Sequence, residues 1–172
     1  AVMGAIAEML HTPTTGLQLL YLTPLRALSR DIELSIRRPI AEMGWPLRVE
    51  SRTGDTKSSQ KSRQLKQMPE ILITTPESLT LMLADAKASE RLRSLRCVVL
   101  DEWHELMSSK RGTQTELCLS HLRQLCLGLK TWAVSATLGN LEEAAQVAVG
   151  RETTPAIVQT DLQRGTVIKS IL

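Results

Sequence analysis

The stretch Val98-Val99-Leu100-Asp101-Glu102-Trp103-His104-Glu105-Leu106 is an oily run that ends abruptly in two carboxylates, an indole and an imidazole. A short segment with no polar face belongs inside a sheet that is covered on both sides, which is the habit of parallel strands. Similar short, mostly apolar runs occur at 17–22, 47–50, 71–74, 97–100 and 131–134. Between them lie helical patterns. Leu25, Leu28, Ile32, Ile36, Ile40 and Met43 recur every three or four residues, and Pro39 is expected to kink or restart that helix. Leu122, Leu125 and Leu129 continue a second pattern, for which Thr113 and Glu116 offer a capping box; Asn140 and Glu143 offer another for the next helix. Alternating strands and helices predict an α/β fold, a mostly parallel central sheet flanked by helices. The tail is less regular, with a last strand expected near 156–159.

Composition fits one domain. The chain has 172 residues, 42% hydrophobic and 23% charged, which is globular and not disordered. No apolar run approaches the roughly 18 residues that span a membrane, and no charged-then-apolar leader opens the chain. Cys97, Cys118 and Cys126 lack metal-type spacing, and Cys97 sits in an apolar run. A reducing, cytoplasmic setting is therefore expected. The net charge of +3 is too mild to demand a polyanionic partner. Lys57, Lys61, Arg63 and Lys66 cluster, as do Arg91, Arg93 and Arg96, and each cluster alone reads as a solvated helix face.

Ligands of doubly wound sheets bind at the carboxyl ends of the strands, where Asp101 and Glu102 fall. An Asp there can hold a hydrated Mg²⁺ that bridges nucleotide phosphates, and a neighbouring carboxylate can orient or deprotonate an attacking water. Turn capping is the plain alternative, and the pair by itself leaves both open. Other chemistries fail: His104-Glu105-Leu106-Met107-Ser108 has Ser where a zinc-protease helix needs its second His, and there is neither a Gly-x-Ser-x-Gly elbow nor a Gly-x-Gly-x-x-Gly fingerprint. An unrelated hydrolase built on Asp101 and His104 has no nucleophile to nominate. Two further strand ends carry Thr-Pro, at Thr23-Pro24 and Thr75-Pro76. Thr suits an N-cap and Pro the first helical position, so each junction is expected to present free amide N–H groups to an anion. Arg26 and Arg30 follow the first. Ser135-Ala136-Thr137 ends the last strand with two hydroxyls that could bond His104.

Taken in order, these motifs resemble the first motor domain of superfamily 2 DEAD/DEAH-box-type helicases. "DEWH" at 101–104 resembles motif II, "SAT" at 135–137 motif III, "TPLRAL" at 23–28 motif Ia and "TTPESL" at 74–79 motif Ib. "RTGDT" at 52–56 resembles the small backbone-contacting motif between them. "DEWHEL", "SSKRGTQTEL" and "SATLGNLEEA" point to the Lhr branch, and to its ligase-associated group.

The resemblance implies a RecA-like three-layer sandwich over residues 1–172, with 155–172 leading toward a second motor domain. It implies ATP and Mg²⁺ as cofactors, and single-stranded or partly duplex DNA, with RNA as a further option, as partner. It further implies the remaining helicase domains in cis, no membrane, and a place in DNA repair. Asp101 would contact Mg²⁺ through water, Glu102 would be the general base, and His104 would link the nucleotide site to Ser135, Ala136 and Thr137. Thr23, Pro24, Arg26, Thr53, Gly54, Thr75, Pro76 and Glu77 would lie along the nucleic-acid backbone, with Glu77 or Asp55 orienting an arginine or capping an amide. The family's Gly-x-x-x-x-Gly-Lys-Ser/Thr loop is absent, since Gly-Lys occurs nowhere in the chain. The helical opening "VMGAIAEML", with Val2, Ile6 and Leu10 on one face, resembles the helix that follows such a loop. The piece alone is therefore expected not to hydrolyse ATP. The alternative is a degenerate motor domain kept as a nucleic-acid or protein-binding module. Trp103 is expected to pack and not to stack on a base.

Overall fold

A computed structural model describes residues 2–136 and 139–159. The expected coupling residue Thr137, and the tail from 160 onward, lie outside the described residues. Five short strands, β1 (Leu19–Leu22), β2 (Val49–Arg52), β3 (Ile71–Thr74), β4 (Cys97–Leu100) and β5 (Lys130–Ala133), form one sheet in the order β2-β3-β1-β4-β5. Every neighbouring pair is parallel.

Alternation along the strands divides the core in two. Leu20, Leu22, Leu72, Val98 and Leu100 point to one face. There they meet α4 (Pro76–Ala84), α5 (Ala86–Arg91), α6 (Trp103–Met107), α7 (Lys110–Leu125) and α8 (Leu141–Val149). Leu19, Tyr21, Ile71, Ile73, Cys97 and Val99 point to the other, against α1 (Val2–His11) and α2 (Arg26–Glu42). The short α3 (Ser58–Lys66) follows β2. Helices on both faces of a parallel sheet make the expected three-layer sandwich. Ile6 of α1 is fully buried, while Val2 and Leu10 flank it at the rim of the same core. Burial pushes the Cys97 thiol up to about 12, the chemistry of a packed hydrophobe.

Several boundaries differ from the sequence expectation for physical reasons. β2 starts two residues later than 47–50, because Leu47 packs against the α2 core before the chain reaches the sheet. β5 is a described edge strand, with Lys130, Trp132 and Ala133 exposed, so it lacks the two-sided burial of its neighbours. Pro39 is accommodated inside α2, which runs on to Glu42. Thr113 does not open α7. Ser109 caps it one turn earlier, accepting from the Arg111 amide at 3.3 Å. Residues 154–159 are irregular and mostly exposed, so the strand expected at 156–159 does not form. Asn140 caps α8 as expected, accepting from the Glu143 amide.

The two Thr-Pro junctions differ from each other. Thr75 caps α4 as expected: its hydroxyl accepts from the Ser78 amide, and Pro76 takes the first helical position. Thr23 does not cap α2. Its amide donates to Thr74 O at 3.0 Å, which prolongs the sheet by one residue and holds the chain extended. The helix then begins at Arg26 behind Leu25, which supplies no side-chain cap. The Thr23 hydroxyl is buried with no partner among the described residues.

Stability should separate the corners. Thr75→Val removes a cap and is expected to cost about 1 kcal/mol in denaturant unfolding, whereas Thr23→Val removes an unpaired buried hydroxyl and is expected to be neutral or slightly stabilising. Gly112 offers a second check. A Cβ there would stand 2.7 Å from Leu106 O and 3.1 Å from Met107 Cα, so α6 and α7 can be this close only at a glycine. Gly112→Ala is expected to cost about 1–3 kcal/mol in the same measurement.

Candidate active site and nucleic-acid interface

Register positions the site. Arg52, Thr74, Leu22, Leu100 and Ala133 lie opposite one another across the sheet, so all five strands end level. The next residues, Thr53, Thr75, Thr23, Asp101 and Val134, therefore line one edge in that order. The polar motifs of five distant stretches meet there because the strands are short and stop together.

At β4 the chain turns sharply. Asp101 donates its amide to Leu22 O at 2.8 Å, still within the sheet. Glu102 then adopts φ 47°, the only positive φ of a non-glycine residue among the described residues. A left-handed backbone with a Cβ costs roughly 1–2 kcal/mol, and such strain is tolerated where the surroundings fix it. They do so here. Trp103 donates its amide to Val134 O at 2.9 Å, and its buried indole N–H donates to Ala144 O at 2.9 Å. Trp103 is a packing residue, locking α6 to β5 and α8.

The strained turn leaves Glu102 part exposed, with its carboxylate 3.5 Å from His104 Nδ1. The same ring nitrogen lies 3.0 Å from Ser135 Oγ, so the acidic tip and the Ser135 loop are joined through His104. Ala136 is exposed on that loop. No lysine or arginine pairs with Asp101 or Glu102 among the described residues. Two adjacent carboxylates without a cation fit a divalent ion held through water. Tyr21, on the α1 face of β1, was not singled out from sequence. Its phenol is pushed well above its usual value by burial first, then by the nearby carboxylates of Asp101 and Glu102. It stays neutral and can donate to Asp101.

The other strand ends form a second cluster. The Arg26 guanidinium lies over Gly54, 3.1 Å from where a Cβ would stand, and 3.7 Å from Asp55. Thr53 and Thr56 close the turn: the Thr53 amide donates to Thr56 Oγ1 at 2.9 Å, and the Thr56 amide donates to Thr53 O at 3.2 Å. Glu77, in the first turn of α4, is ion-paired with Arg111, whose Nε lies 2.7 Å from its carboxylate. Burial pulls the Glu77 carboxyl up, but its own amide, the Thr75 hydroxyl, Arg111 and Arg26 outweigh burial and hold it below the usual range. Arg111 also donates to Pro24 O at 2.9 Å. Sequence reasoning missed Arg111. The available signal was Gly112 beside it, since glycine inside a helical stretch marks a close approach.

Among the described residues, no helix is long and apolar enough to cross a membrane. Residues 1–144 match the DEAD/DEAH box helicase family. The chain is 39% identical over 165 residues to the ATP-dependent helicase Lhr-Core protein 2 of Thermococcus barophilus, a match over 87% of this chain and 19% of that protein. It is 37% identical over 163 residues to the Lhr helicase/probable uracil glycosylase of Mycolicibacterium smegmatis, over 88% of this chain and 11% of that protein. The chain thus spans less than a fifth of the length of these relatives, at 19% and 11%. The structure of Mycobacterium smegmatis helicase Lhr bound to ssDNA and AMP-PNP matches with a TM-score of 0.74 at 38% identity, covering 85% of this chain and 20% of that one. The DEAD-box helicase Mss116, at 20% identity and a TM-score of 0.72 over 84% of this chain and 30% of its own, shares the fold alone. With a RecA-like sheet and this family match over most of its length, the chain belongs to the DEAD/DEAH box helicases.

Proposed function

We propose that residues 1–172 are the first motor domain of an ATP-driven helicase or translocase that acts on single-stranded or partly duplex DNA. One observation carries the reading: five strands ending level bring the acidic tip, the Ser135 loop and both Thr-Pro corners to a single edge of the sheet. Any parallel sheet gathers its strand ends; what supports the reading is that the residues gathered are hydroxyls, an arginine and an acidic tip that no lysine or arginine pairs with among the described residues. The similarity to Lhr-type helicases, one of them solved with ssDNA and an ATP analogue, supports both ligands. On the resemblance of the motifs, a second motor domain after about residue 155 and work in DNA repair are also proposed.

Asp101 would hold Mg²⁺ through its water shell, and Glu102 would orient and deprotonate the attacking water. Bound Mg²⁺–ATP supplies the phosphoanhydride whose hydrolysis drives movement. The strained turn at Glu102 carries its side chain off the strand, and Tyr21, on the α1 face, would be available to donate to Asp101. His104, held 3.0 Å from Ser135 Oγ, would pass changes at the acidic tip to the loop of Ser135, Ala136 and Thr137. Thr23, Pro24, Arg26, Thr53, Gly54, Thr75, Pro76 and Glu77 would line the strand's backbone, positioning it without reading sequence. Against a degenerate binding module stand two carboxylates with no cationic partner among the described residues and a backbone strained to present one of them. No Gly-Lys dipeptide occurs in the chain, so these residues alone are not expected to hydrolyse ATP at a useful rate.

In the intact protein, Glu102→Gln is expected to leave ATP affinity within a few-fold and to lower hydrolysis by about a hundredfold or more, the loss that follows removal of a positioned base. Unchanged turnover would remove Glu102 from the mechanism. Arg26→Ala is expected to weaken single-strand binding equally for all sequences and to lower the slope of log K against log salt by about 0.7, one phosphate contact. A sequence-selective loss would contradict a backbone role.

A further inference from the structure

Building on the function proposed above, we infer that Arg111 is a positioning residue that ties the two Thr-Pro corners together and sets their geometry from the helices behind the acidic tip. Its guanidinium is held by a carbonyl and a carboxylate on different elements. Nη1 donates to the carbonyl of Pro24, just after β1, at 2.9 Å. Nε forms an ion pair with Glu77, in the first turn of α4 after β3, with the carboxylate oxygen 2.7 Å away. A guanidinium can donate to the carbonyl from one nitrogen while its delocalised charge lies against the carboxylate; a lysine ammonium, a single point on a flexible stem, cannot hold that geometry.

The anchor of this strap is rigid. Arg111 lies in the first turn of α7, behind the Ser109 cap. Gly112 lets that turn press against the end of α6, where a Cβ would stand 2.7 Å from Leu106 O. α6 begins at Trp103, itself fixed to Val134 O and Ala144 O. From Asp101 to Arg111 the chain is therefore one braced unit that starts at the acidic tip and ends on both corners. Charge is divided in the same way. Glu77 pairs with Arg111, while Arg26 lies 3.7 Å from Asp55, a looser contact with both side chains half exposed or more. Arg26 is the more loosely held cation and the one offered to phosphate; Arg111, though still part exposed, is held by Pro24 and Glu77.

The test uses the intact protein, a mixed-sequence single-stranded DNA oligonucleotide, anisotropy titrations across a salt series, and a fluorescent ATP analogue. Arg111→Ala is expected to lower single-strand affinity about tenfold with the salt slope of the wild type, and to leave affinity for the ATP analogue unchanged. Arg111→Lys is expected to stay close to the alanine variant. Glu77→Gln is expected to reproduce the loss, and the double variant to be no worse than either single one, as for two halves of one contact. A slope reduced by about 0.7, with affinity restored by Lys, would make Arg111 a phosphate contact and overturn the inference. So would unchanged affinity, or equal losses for DNA and nucleotide, the mark of general destabilisation. Should Arg111→Ala fold poorly, Glu77→Gln decides alone: wild-type affinity there also overturns the inference. If the wild-type protein binds no single strand, the proposed function itself fails; if it binds and the variants match it, only the strap does.

Discussion

Level termination of a parallel sheet is the constraint on which everything else rests. Parallel strands read their register from the neighbours on each side, and here Arg52, Thr74, Leu22, Leu100 and Ala133 fall opposite one another. A slip of one residue at β4 would turn Val98 and Leu100 to the α1 face and carry Asp101 out of line with the corners. The apolar side chains of the strands are thus what hold the polar edge in place. Burial on both faces selects the register, and the register selects which residues meet.

The edge itself divides its charge into two regions. Around Asp101 and Glu102, negative charge is left without a lysine or arginine among the described residues, and a neutral Tyr21 lies on the α1 face of the neighbouring strand. Around Thr23, Thr53 and Thr75, arginines and carboxylates are paired, tightly at Arg111–Glu77 and loosely at Arg26–Asp55. An uncompensated acidic pair suits a cation, and a loosely held arginine beside amide-rich turns suits a phosphate. His104 is the side chain that bridges the acidic tip to the Ser135 loop.

Much of this was legible in the sequence, and the limits have physical causes. β3 and β4 were read at their true bounds because every residue in them is buried, so hydropathy alone marks them. β5 was shifted by one residue because an exposed edge strand carries Lys130 and mixes polar with apolar side chains. Thr23-Pro24 and Thr75-Pro76 are identical pairs, yet only the second caps a helix. The difference lies in the hydrogen bond from Thr23 N to Thr74 O, which no local pattern encodes. Glu102 could be placed at a strand tip but not in a left-handed turn, since nothing in "DEWH" signals φ. Arg111 escaped notice because its partners, Pro24 and Glu77, are far from it along the chain.

The central claim is that one edge of this sheet holds both a magnesium-bound triphosphate and a polynucleotide backbone. The most direct measurement is a structure of the intact protein with Mg²⁺, a non-hydrolysable ATP analogue and single-stranded DNA. The expected result has the metal's water shell against Asp101, and the strand's phosphates passing Arg26, Thr53 and the Thr75 helix start. A strand that crosses the opposite edge of the sheet, or a metal bound away from Asp101, would contradict the claim.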